Sequence, residues 1–358
     1  MTECGFLHEE WREASDKASL PAMPVVSVHM LAYKHGKYLA DAIEGVIAQI
    51  TDFPIELIIG EDCSPDDTRK IALDYQQRYP QLIRVIYSER NVGAHQNFER
   101  VLRSSKGPYI AFCEGDDYWV EPRKLQMQVD FLAKHPDYGA VHGDHNHLAF
   151  TFGHWRVRRG VKRILRGVVP SGDIRAPIKW DMFVVTCTLT CRATLVTQFA
   201  RWARPRFAAG DYLSGDWPMI AFVAQKSKVG YIDTPLATYR RVPGSAMQSG
   251  PRAALNMALN AWRISEDLYS EFGGTREERA QSNLALYRRL YRAAFEARDV
   301  EHFRAAEAWL SENDSAATAA WRARLCSFAV ARPWIHRIVF YAVKLKREIG
   351  VYMHYEKL

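Results

Sequence analysis

Five short apolar runs recur along the first 142 residues, with room for one helix between most neighbours. This alternation constrains the chain more than any other feature. The runs are Val25–Leu31, Ile55–Ile59, Leu82–Tyr87, Tyr109–Cys113 and Tyr138–His142. Runs of this kind, bounded by turn residues, suit strands buried on both faces. Between them, Leu39, Ile43, Val46, Ile47 and Ile50 share one helical face, and Leu125, Val129 and Leu132 mark another over Arg123–His135. A helix is expected to start at Ser64-Pro65-Asp66-Asp67, with Ser64 as cap and Pro65 in the first position. Another is expected over His95–Arg103. The pattern predicts an α/β fold, a doubly wound and mainly parallel sheet flanked by helices. Ligands of such sheets bind outside the carboxyl ends of the strands.

The polar residues fall where that rule puts a site. The strands end at Ala32-Tyr33, at Glu61-Asp62, at Arg90-Asn91 and at Glu114-Gly115-Asp116-Asp117. Three carboxylates within four positions repel one another, and a hard divalent cation relieves the repulsion. Mg²⁺ in particular uses one or two carboxylates together with substrate phosphates. Taken alone, the same residues also suit a polar loop capping the next helix. No G-x-G-x-x-G follows the first strand and no G-x-x-x-x-G-K-[ST] occurs, so a nucleotide on this rim would be held by side chains and a metal.

A formal charge of +7 points to an anionic partner without choosing one. The six scattered cysteines form no disulfide framework and no zinc-ligand spacing. Residues 1–23 read as a polar leader without signal-peptide character. No uncharged apolar run is long enough to span a bilayer. A cytoplasmic protein, peripheral at most on the inner face of the membrane, is expected. Residues 154–167 are basic without an acid, which suits a solvated face or a lip for a lipid-linked diphosphate. No nucleic-acid module accompanies them, so nucleic acid is not expected as a partner. The histidines of His142-Gly143-Asp144-His145-Asn146-His147 suit a polar strand end better than a metal site. Beyond about 250 the texture turns Ala-, Leu- and Arg-rich, and the organisation expected is 1–23 leader, 24–250 α/β domain, 251–358 helical region. Within the last, 332–347 mixes aromatic and basic residues and suits either a membrane interface or packing on the preceding helices.

With these pieces placed, residues 24–245 resemble a GT-A-fold, family 2 glycosyltransferase of the bacterial cell-surface polysaccharide type. The resemblance is carried by Val26-Ser27-Val28 through Ala32-Tyr33, by Glu61-Asp62-Cys63-Ser64-Pro65-Asp66-Asp67-Thr68 and by Asn91-Val92-Gly93. It continues in Glu114-Gly115-Asp116-Asp117, Gly215-Asp216-Trp217, and Tyr239-Arg240 with Ser245. Glu stands at 61 and 114 where the family has Asp, and Val242 stands where a histidine often follows the closing Arg.

The resemblance implies a nucleotide diphosphate sugar as donor, UDP first, and a glycan or lipid-linked glycan as acceptor. It implies Mn or Mg on Asp116 and Glu114, with Glu114 also meeting the ribose. It implies a donor site of Ala32, Tyr33, Glu61, Asp62, Asn91, Asp117 and Arg240, with Asp62 on the base and Arg240 or Arg241 on the diphosphate. Asp216 becomes the general base of an inverting transfer, and Trp217 a platform for the acceptor. Rival readings are a nucleotidyltransferase, or an inactive glycan-binding or scaffold protein that has kept the fold.

Overall fold

The computed structural model describes residues 11–151, 154–162, 167–242, 250–314, 326, 329–341 and 356–357. Among these residues the strands form one eleven-stranded sheet. Its centre is β2 (Val26–Ala32), flanked by β3 (Ile55–Glu61) and β5 (Tyr109–Phe112), with β4 (Ile83–Tyr87) outside β3; all four are parallel. β1 (Arg12–Ala14) closes this side antiparallel to β4, so part of the expected leader is paired into the sheet. On the other side β9 (Thr190–Arg192) runs antiparallel between β5 and β7 (Tyr138–Thr151). β10 (Lys228–Arg241) lies parallel to β7, and β6 (Tyr118–Trp119) pairs antiparallel with β10. β8 (His154–Arg158) forms a hairpin with β7, and β11 (Glu356–Lys357) pairs with β8.

Alternate residues of β2 feed opposite faces, as strand geometry requires. Val26, Val28 and Met30 join Leu39, Ile43 and Val46 of α1 (Leu39–Ile47) and Ala72 of α2 (Thr68–Arg78) in one core. The other face carries α3 (Ala94–Ser104), α5 (Ala193–Ala208) and α6 (Asp216–Lys226), around Phe112, Phe199, Trp217 and Phe222. Ala261 and Ile264 of α7 (Pro251–Phe272) and Leu286 of α8 (Arg276–Ala297) reach the same core. α9 (Val300–Asn313) packs beyond them through Phe303 and Ala306. α4 (Lys124–Lys134) lies along β7. Gly45 lets α1 touch β6, because a Cβ there would stand 2.9 Å from the Trp119 backbone nitrogen.

Several expectations need correction. α2 starts at Thr68 rather than at Ser64. Ser64 instead accepts the Lys34 N–H, and an Asp66 carboxylate oxygen takes the Thr68 N–H and hydroxyl, a local turn that outcompetes an earlier helix start. The fifth strand runs to Thr151, because β8 and β10 pair along its polar half and satisfy its backbone. Of the basic stretch, Arg156, Arg158 and Lys162 are buried rather than solvated, and 163–166 lie outside the described residues. Residues 333–341 run as helix, packing His336 and Val339 inward while Trp334, Ile338 and Tyr341 stay exposed; 342–347 lie outside the described residues, as does Ser245. Among the described residues no helix is long and apolar enough to cross a membrane.

Candidate active site

The carboxyl ends of β2 to β5 meet on one rim. Lys34 and Cys63, both non-glycine residues with positive φ, follow β2 and β3 directly and turn the chain over that edge. The Asp62 N–H donates to the Ala32 carbonyl at 3.0 Å, holding the two strand ends together. Tyr33 beside them is 40% exposed, with the Lys34 ammonium 4.9 Å from its ring centroid.

Asp62 is buried. Its two oxygens accept the N–H groups of Val92 and Gly93 at 2.8 and 2.9 Å, and the Asn91 amide donates to its carbonyl. Its carboxylate therefore shapes the turn after β4, which Gly93 at φ +85 makes possible. Glu61 is turned away from the rim. It accepts from Arg69 and from the Ser64 N–H, both at 2.6 Å, and has no exposed surface.

Beyond β5 the acidic segment divides by role. Asp117 is buried and accepts the Arg240 backbone N–H at 2.8 Å, so it anchors β10 to the loop. Asp116 is partly open, with His35 Nε2 at 3.9 Å. Glu114 is half-buried and lines a cavity of about 360 Å³ with Asp216, the first residue of α6. Loss of hydration, then the charges of Asp216 and Asp117, push the Glu114 pKa well up. Asp216 is raised too, chiefly by loss of hydration and also by the Asp116 charge, against a Thr186 hydrogen bond that lowers it. Trp217, expected at the acceptor, is instead a core residue: it is 4% exposed and its indole N–H donates to the Ile178 carbonyl at 2.6 Å.

The cavity runs inward between α3, α5 and α6, walled by Phe98, Phe112, Phe199 and Phe207. His29 stands in its wall. The Ser105 hydroxyl gives its proton to the Val101 carbonyl, so the His29 Nε2–H is the donor to Ser105 and Nδ1 is left as an unpartnered acceptor. Burial holds this imidazole neutral, with its pKa lowered to about 3. Sequence reasoning passed over His29, Thr186 and His95, since single polar residues outside any motif carry no spacing signal. His35, in a turn directly after β2, was the one such residue within reach of the pattern.

His95 lies flat on Phe207, ring centroids 3.7 Å apart, and its Nε2 is 3.3 Å from Glu99. Glu99 in turn joins α3 to α5 through two contacts with Arg204, at 3.0 and 3.1 Å. Burial raises the Glu99 pKa, but the His95 and Arg204 hydrogen bonds outweigh it and bring the value down to about 2. A depressed carboxylate contributes stability above its ordinary value of 4.5, and this is lost as pH falls toward about 2. Glu99→Gln is therefore expected to melt lower than wild type at neutral pH, with the gap closing through that window in pH-dependent denaturation.

The acidic rim fits a hard cation in one respect. The charges that act most strongly on Glu114 are all negative: Asp216, Asp117 and Asp116. Among the described residues, however, no three His, Cys, Asp or Glu side chains converge as a complete metal site. Such a rim holds a cation only when a ligand supplies further oxygens, as a diphosphate does.

A mainly parallel sheet with carboxylates gathered at its strand ends, and a helical region packed behind, defines the GT-A fold. Residues 27–193, a little under half of the chain, match the model of glycosyl transferase family 2. The chain is 46% identical over 112 residues to the uncharacterized protein Rv1520 of Mycobacterium tuberculosis, which covers 31% of this chain and 32% of that protein. Over 167 residues it is 25% identical to the UDP-Glc:alpha-D-GlcNAc-diphosphoundecaprenol beta-1,3-glucosyltransferase WfgD of Escherichia coli, covering 47% of this chain and 58% of WfgD. The matched stretch is thus about a third of the length of the first of these relatives. The fold is shared with the mannosyltransferase PcManGT from Pyrobaculum calidifontis, solved in complex with GDP-Man and Mn2+. That likeness has a TM-score of 0.54 at 15% identity and covers 94% of this chain and 91% of that one.

Proposed function

We propose that the protein is an inverting glycosyltransferase. In this reading it moves a sugar from a nucleotide diphosphate sugar, UDP-linked first, to a hydroxyl of a surface glycan or lipid-linked oligosaccharide. The observation that carries the reading is the meeting of Glu114, which follows β5, and Asp216, which opens α6, in the wall of one cavity. The name of WfgD supports both a UDP donor and a lipid-diphosphate acceptor.

In this reading the nucleobase lies against the exposed Tyr33 side chain, beside the Ala32 backbone and the turn that Asp62 and Asn91 build. Asp116 and Glu114 would hold a divalent cation, Mn or Mg, which as a Lewis acid neutralises the leaving diphosphate. Asp216 accepts the proton of the acceptor hydroxyl as the glycosidic bond forms. A raised pKa suits that role, since a base is most effective when its pKa approaches the working pH. A single base on the face opposite the leaving group gives inversion at the anomeric carbon. Phe112 and Phe207 exclude water from the reacting carbon. The exposed Trp334, Ile338 and Tyr341 beside Arg337 support a peripheral contact of the C-terminal helix with the inner face of the membrane.

The test is thermal melting with nucleotide diphosphates and nucleotide sugars, with and without Mn²⁺ or Mg²⁺. One nucleotide at a hundred times its dissociation constant is expected to add about 2.7 kcal/mol in the presence of metal. Asp116→Ala is expected to lose that increment. A chain that no nucleotide stabilises is not a transferase, and the glycan-binding reading replaces it.

A further inference from the structure

A second groove, of about 880 Å³, lies between α1, β6 and the β7–β8 hairpin, and the proposed reaction assigns it no role. Its lining includes Tyr38, Asp41, Tyr118, Trp155 and Arg240. Arg240, expected at the diphosphate, turns its side chain here. The guanidinium carbon sits 4.8 Å from the Tyr38 ring centroid and 5.1 Å from that of Tyr118. Its Nη2 donates to Asp41 at 2.7 Å. Nη1 is buried without a hydrogen-bond partner, although the residue is only 5% exposed. A buried donor without an acceptor is costly, and a ligand oxygen would remove that cost.

The other groups define what such a ligand is. Asp41 is 61% exposed at its side chain, leaving acceptor capacity beyond its Arg240 contact. Trp155 is half-buried and braced edge-on by Phe150, ring centroids 5.4 Å apart. Aromatic faces beside a carboxylate and a guanidinium match a pyranose, whose C–H face stacks while its hydroxyls both donate and accept. Lys37 and Arg240 are balanced by Asp41 and Glu44 in the same lining, so the groove selects for neither an anion nor a cation. The chain links it closely to the acidic segment. Tyr118 follows Asp116 by two residues, and the Arg240 N–H is held by Asp117.

We infer that this groove is a subsite for an uncharged sugar unit of the acceptor glycan, away from the hydroxyl that reacts. The inference deepens the transferase reading and rests on it for the word acceptor; the sugar site itself stands on the groove.

The test uses the full chain with Trp155→Ala and Asp41→Ala, both at the groove's surface. Arg240 is left intact because its removal would uncouple β10 from α1. Neutral tetrasaccharides of glucose, mannose and galactose, tri-N-acetylchitotriose, and a uronate tetrasaccharide are titrated by saturation-transfer NMR. At least one neutral oligosaccharide is expected to bind wild type, and roughly tenfold more weakly to each variant. Both variants are expected to keep the nucleotide-induced melting shift. Binding that survives both substitutions, binding of the uronate alone, or no binding of any neutral oligosaccharide would overturn the subsite. Neutral-sugar binding without any nucleotide shift leaves the subsite standing and removes the transferase reading.

Discussion

Asp216→Asn is expected to lower the rate of sugar transfer by roughly 10²–10⁴-fold, the range over which a positioned general base contributes. Asparagine keeps the shape of the side chain and the place of its Thr186 contact but cannot accept the acceptor proton. Donor binding is therefore expected to persist, because no donor contact in the proposed site uses this residue. Turnover of radiolabelled nucleotide sugar, measured beside the metal-dependent melting shift, separates the two effects. A variant that binds the nucleotide normally and transfers at the wild-type rate would take the base role away from Asp216. Relief of repulsion on Glu114 is a second consequence, since Asp216 is the leading charge that raises it.

Arg84→Ala is expected to cost about 3–5 kcal/mol, the penalty for leaving a buried charge without its partner. Arg84 lies on β4 with 5% exposure and contacts Glu56 on β3 at 2.6 Å and Glu13 on β1 at 3.0 Å. It also donates to the Ser104 carbonyl at the end of α3. Glu56 is 2% exposed and holds the Ser27 hydroxyl and the Lys106 N–H, so the pair ties β1, β2, β3, β4 and the end of α3 together. Urea unfolding should show the loss as a lower midpoint at an unchanged slope. The double substitution Arg84→Met with Glu56→Leu is expected to recover part of it, because an apolar pair leaves no charge to desolvate. Recovery of nothing would mean that the Ser27 and Lys106 contacts, rather than the ion pair, carry the effect.

Arg84 and the acidic rim that Asp216 faces lie toward opposite ends of the same parallel strands, which separates stability from chemistry. At the amino-terminal end of β2, Ser27 and the Glu56–Arg84 pair close the polar edge through hydrogen bonds and an ion pair. At the carboxyl end Glu114, Asp116 and Asp216 repel one another. Mutual repulsion of that kind is sustained by the rest of the fold, and strain of this sort gathers at functional sites.

The sequence by itself determined the alternation of β2 to β5 with α1 to α4, and with it the edge on which Tyr33, Asp62, Asn91, Glu114 and Asp116 gather. These are local properties: strand and helix periods, and polar residues placed directly after apolar runs, follow from neighbours a few positions apart. The tertiary structure alone decided which way each side chain faces and what it meets. Glu61, adjacent to Asp62 on the same strand end, turned out to be neutralised by Arg69, since successive strand residues point to opposite faces. Trp217 went into the core while its neighbour Asp216 borders the cavity. Arg240 met Asp41 across 199 positions, and Thr186 reached Asp216, because the short β9 and the long β7–β10 pairing fold distant segments onto the rim. Such contacts are set by strand order and packing, and no period or motif along the chain encodes the distance between residues that only the closed sheet brings together.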